Sequence, residues 1–115
     1  MKRVVKAMFE PKVRSEQTDR LMKAMLHLDS VETAYRFFED LCTIPEIKSI
    51  SQRLEVAWWL QKKETYQVIE EKTGASSATI SRVNRALSYG ADGYRRVLEA
   101  MAADEADTSE EKGDT

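Results

Sequence analysis

The stretch IPEIKSISQRLEVAWWLQK, Ile44 to Lys62, limits the possible folds more than any other part of the chain. Ile47, Ile50, Leu54, Ala57 and Trp58 recur at three- and four-residue steps and so share one helical face, while Val56, Trp59 and Leu60 widen the stripe. A helix apolar on so much of its girth has to be surrounded by other elements. At 1.5 Å per residue it spans about 28 Å, long enough to be a central strut. Thr43 and Glu46 have the spacing of a capping box at its start, and Pro45 is tolerated in a first turn, where no carbonyl waits for its missing N–H.

The flanking segments supply the surroundings. Leu21, Met25 and Leu28 lie on one face of a first helix, and Val31, Ala34, Tyr35, Phe38, Leu41 and Cys42 form the stripe of a second. Asp29 with Glu32 is the expected capping box between them. No strand pattern, internal repeat or metal-ligand spacing is present, so the fold class is all-α.

After the strut, Thr65 is an N-cap for a short helix through Lys72, and Gly74 stands where a residue of positive φ would end it. Ser76 or Ser77 caps a further helix to about Leu87. Two short helices joined by a glycine turn make a helix-turn-helix at about residues 65–87, with Ile69, Ala75, Ile80 and Val83 facing inward. The other face begins with Ser77, Ala78 and Ser81 and becomes basic at Arg82 and Arg85, with Ser76 and Thr79 beside it as further DNA-binding candidates.

Small residues in the first turn of such a helix let its backbone approach base edges in a major groove. Ser77 and Ser81 can donate or accept there, Ala78 can touch a thymine methyl, and Arg82 and Arg85 can reach phosphate or guanine. Gln67 and Lys72, on the supporting helix, are candidates to hold the phosphate backbone. Glu70 and Glu71 would oppose phosphate if turned toward DNA. A plain helical hairpin with a polar face fits the same spacing.

Charge and composition narrow the remaining choices. The net charge of −2 divides into −5 for Ala102–Thr115 and +3 for the rest. The segment 102–115 lacks large apolar residues and is expected to be a disordered acidic tail, while 1–14, at +4, is a basic arm suited to phosphate or to plain solvation. One domain, 15–101, lies between them. A chain of 115 residues buries only about two-thirds of its unfolded surface, so a second subunit could complete the core. The single cysteine precludes an internal disulfide, and with no membrane span or signal peptide visible, the expected location is cytoplasmic. Trp58 and Trp59 read as core or interface residues, His27 as solvated, and Cys42 as a small hydrophobe. No cluster suits catalysis or a cofactor, so no enzyme activity is assigned.

The stretch LEVAWWLQKKETYQVIEEKTGASSATISRVNRAL, preceded by RFFEDLCTIPEIKSISQRLEVA and followed by LSYGADGYRRVL, resembles the Trp repressor superfamily, and within it the YerC/YecD branch of TrpR-related proteins. The likeness spans about Thr18 to Met101. It implies a six-helix TrpR-like fold in an intertwined homodimer, with Tyr35, Phe38, Leu41, Trp58 and Leu98 buried against the partner. It further implies a transcriptional regulator, a repressor, bound to double-stranded DNA at a pseudo-palindromic operator. Ser77, Ala78 and Ser81 would stand at base edges, with Gln67 and Thr79 near the backbone.

The resemblance does not extend to tryptophan as effector. Arg82 matches the arginine that stacks on the indole, but the glycine that should follow is Val83, and by ungapped counting the second arginine's place falls on Gln52, with Arg53 one step round the helix. An unliganded binder, or one with another effector, is expected. The alternative, from a different class, is a helical homodimeric adaptor for other proteins, without sequence-specific DNA binding.

Overall fold

The computed structural model describes residues 9–113, which form six helices in two compact units divided after Cys42. The first unit holds α1 (Glu16–Met25) and α2 (Val31–Leu41); the second holds α3 (Ile44–Gln61), α4 (Tyr66–Thr73), α5 (Ser77–Tyr89) and α6 (Gly93–Gly113). Residues 1–8 of the basic arm lie outside the described residues. Among the described residues no helix is long and apolar enough to cross a membrane.

In the first unit, serines set the helix starts. Ser15 and Thr18 form a reciprocal box at α1. At α2 the cap is Ser30, not the expected Asp29: the Ser30 hydroxyl accepts the Thr33 N–H at 3.1 Å. Glu32 is therefore not the reciprocal partner of a cap, and its carboxylate pairs with Arg36 one turn on, at 2.8 Å. Both helices are amphipathic, yet neither contains a buried residue. Phe37 and Phe38 meet edge to face with ring centres 5.8 Å apart.

The second unit has a closed core. Val56 and Ala57 of α3, Ile69 of α4, Ala75 of the turn, Ile80 and Val83 of α5 and Leu98 of α6 are buried together, and Trp58, Trp59, Leu60, Leu87 and Tyr94 pack around them. α3 packs against α4, α5 and α6 in turn, as its broad apolar girth predicts. Its start carries the expected box, with the Thr43 N–H donating to Glu46 Oε1 at 2.8 Å and the Glu46 N–H donating to the Thr43 hydroxyl at 3.2 Å. It ends in a left-handed residue, Lys63 (φ 68°), where the Glu64 N–H reaches back to the Trp59 carbonyl.

Two observations differ from what was expected. Leu98, assigned to the subunit interface by resemblance, is only 2 % exposed within one chain, because it faces the core from α6. Residues 102–113, expected to lack order, continue α6 as helix. The side chains of 102–107 are exposed, and the alanines and glutamates of the segment are strong helix formers that extend a helix already nucleated by the packed turns before it.

Candidate nucleic-acid interface

The candidate surface is built on α4, the turn Gly74–Ser76 and α5. Thr65 caps α4, its hydroxyl accepting the Val68 N–H at 3.2 Å. Gly74 ends the helix at φ 74°, a conformation that glycine adopts without the clash a Cβ brings. Ser76 then caps α5, accepting the Thr79 N–H at 3.2 Å. Ile69, Ala75, Ile80 and Val83 are all buried, so both helices and the turn between them are anchored from beneath.

Anchoring on that side leaves the other open. Gln67, Ser77, Ala78, Ser81, Arg82 and Arg85 are exposed, and the first turns of α5 carry no bulky side chain on the outer face. The structure gives the remaining candidates a second engagement. The Ser76 hydroxyl is committed to capping, and it also lies 3.2 Å from the half-buried Thr79 hydroxyl. Lys72 turns back toward α3, its ammonium 4.6 Å from the centre of the Trp59 ring, a cation–π contact that ties the end of α4 to the strut.

The arginines divide into two groups. Arg95 and Arg96, at the start of α6, are bound to Asp92 at 2.7 and 3.1 Å. Arg82 and Arg85 have no ion-pair partner among the described residues, and α5 contains no acidic residue. Their charge is available to an external anion. Glu70 and Glu71 are exposed on α4, so the neighbouring helix does carry opposing charge.

Two residues have placements that the sequence did not predict. Tyr89, 85 % exposed, stands seven residues beyond Arg82 on the same side of α5, because that helix runs two residues past its expected end. Gln52 donates from its side-chain amide to the Thr73 carbonyl at 3.1 Å and so holds the end of α4. Its position one helical turn before the buried Val56 was the available signal.

Six helices with no strand among the described residues, and a glycine turn joining α4 to α5, define an all-α protein of the TrpR-like fold. The sequence model of the Trp repressor protein matches residues 16–102. The chain is 50 % identical over 98 residues to the uncharacterized protein YerC of Bacillus subtilis (strain 168), covering 85 % of this chain and 94 % of that one. Among solved structures it is similar to a TrpR-like protein from Eubacterium eligens ATCC 27750, with 55 % identity and a TM-score of 0.76 over 79 % of this chain and 94 % of that one. A candidate Trp repressor from Staphylococcus aureus has the same TM-score at 48 % identity, with 79 % and 91 % covered. The chain belongs to the Trp repressor family and is of its YerC type.

Proposed function

We propose that this protein is a sequence-specific DNA-binding transcriptional regulator, a repressor, that reads a major groove with α5. The observation that carries this reading is the outer face of α5: small at its first turn, free of acid, and bearing two arginines with no partner among the described residues. The Trp repressor family and the candidate repressor from Staphylococcus aureus support the same class of function. Ser77, Ala78 and Ser81 stand at base edges, and Arg82 and Arg85 reach phosphate or guanine. Gln67 and Thr79 lie near the backbone. Ser76 and Lys72 act mainly from behind, as the cap and the tether of the reading unit.

The working form is a homodimer. Amphipathic α1 and α2 without a buried residue, and exposed Leu54, Val97 and Met101 in the other unit, leave apolar surface for a second copy to cover. Two copies would present α5 to successive major grooves about 34 Å apart, giving a pseudo-palindromic operator. Tryptophan is not the effector: Val83 is buried where the responsive proteins need a glycine, and the Gln52 amide is engaged by the chain itself.

Selection of bound duplexes from a random DNA pool, with Ser77→Glu/Ser81→Glu as control, tests the reading. A pseudo-palindrome recovered by the parent alone is expected. No enrichment by folded, dimeric protein, with or without tryptophan, would leave a protein adaptor as the better account. With a recovered site in hand, Arg82→Ala and Arg85→Ala should each flatten the salt dependence of binding by about one unit, if each arginine contacts a phosphate.

A further inference from the structure

We propose that Gln52 is a positioning residue for α5: its side-chain amide fixes the turn that precedes the DNA-reading helix, so the chain sets the aim of that helix without a bound effector. The inference rests on the DNA-binding reading above. Gln52 Nε2 donates to the Thr73 carbonyl at 3.1 Å and so joins two different helices, α3 and α4. The side-chain bonds at the caps, by contrast, act within a single helix and its first turn, as those of Thr65 and Ser76 do.

The acceptor is well placed for such control. The Thr73 carbonyl belongs to the last turn of α4, where carbonyls have no partner within the helix. The Thr73 hydroxyl donates to the Ile69 carbonyl at 2.7 Å and accepts the Ala75 N–H at 3.1 Å, and the Gly74 N–H donates to the Glu70 carbonyl at 2.9 Å. The bend is thus held by local bonds, and Gln52 ties it to the long helix. Ala75 follows, buried, and Ser76 caps α5. Only Gly74, Ala75 and Ser76 separate the carbonyl held by Gln52 from the first residue of α5, so a displacement at Thr73 is passed to Ser77 and Ala78 with little slack. Gln52 also flanks the turn itself: a Cβ on Gly74 would meet Gln52 Nε2 at an ordinary contact distance of 3.9 Å.

Base contacts depend on the aim of α5, whereas phosphate contacts tolerate small displacements, so the ratio of specific to non-specific affinity is the decisive measurement. Gln52→Ala should lower that ratio about tenfold, the scale of one hydrogen bond and the acceptor it leaves unsatisfied. Gln52→Glu, nearly isosteric but presenting an acceptor to an acceptor, should lower it at least as much. Gln52→Lys, which restores a donor beside a helix C-terminus, should return it to within about twofold of the parent. All are measured on the duplex recovered by selection, with helix content checked by circular dichroism. A folded Gln52→Ala or Gln52→Glu variant with the parent's ratio overturns the positioning role alone. A parent that shows no preference among sequences overturns the DNA reading and this inference together.

Discussion

The two units of this chain use the same helical grammar and reach opposite results. α1 and α2 are cleanly amphipathic and well capped, yet they contain no buried residue, and Tyr35 of α2 remains 64 % exposed. α3 has a far less one-sided pattern, yet Val56 and Ala57 within it are completely buried. Amphipathicity states how one-sided a helix is, not whether its apolar side has been covered. A helix whose apolar residues are spread over much of its girth gathers neighbours from its own chain, whereas a narrow apolar stripe can wait for another molecule.

Substitutions can break this contrast or sharpen it. The largest effect should come from the closed core: Ile80→Ala removes a fully buried side chain and should cost about 3 kcal/mol of unfolding free energy, independent of protein concentration. Phe38→Ala, in the unit with no buried residue, should behave differently. Its expected loss of about 2 kcal/mol should appear as weaker dimerisation, with a melting temperature that depends on protein concentration in ultracentrifugation-matched samples. Equal, concentration-independent losses for the two variants would remove the distinction drawn here.

The two left-handed helix ends offer a smaller test within the second unit. Gly74→Ala should destabilise by about 1 kcal/mol through backbone conformation alone, since the added Cβ meets its nearest neighbour at 3.9 Å. Lys63→Gly relieves the same kind of strain at φ 68° and should stabilise by up to about 1 kcal/mol in urea unfolding. Opposite signs are the result to look for.

The smallest effect concerns Asp92 at the start of α6. Its carboxyl is held below the usual aspartate range by the hydrogen bond from Arg96, with Arg95 adding to this and partial burial opposing it. Because the native value is depressed, the stabilisation is fully present above the ordinary aspartate range and is lost as pH falls through that range to the native value. Asp92→Asn should therefore melt slightly below the parent near neutrality and converge with it in acid. Added salt should shrink the difference, since the pair is exposed to solvent.

Much of this was legible in the residues. Thr43 with Glu46, Thr65, Ser76 and Gly74 act through neighbours three or four positions away, so their spacing alone predicted the boundaries of α3, α4 and α5 to within two residues. Ile69, Ala75, Ile80 and Val83 were recognisable as inward because helical geometry puts residues so spaced on one side. The differences have equally local causes. Asp29 and Ser30 are both good caps, and only the backbone path chooses between them. The end of α6 has no large apolar group, and helix propensity with an established helix before it extends the helix through Gly113.

Sequence alone determined the helices, their caps, the apolar faces and the small, basic outer face of α5, because each follows from interactions within a turn or two of the chain. Only the tertiary structure decided that Leu98 belongs to the core, that Lys72 leans on Trp59 and that Gln52 holds the Thr73 carbonyl. Those contacts join residues far apart along the chain, and a side chain's choice among several polar or apolar neighbours is set by which helices pack, a fact that no local pattern carries.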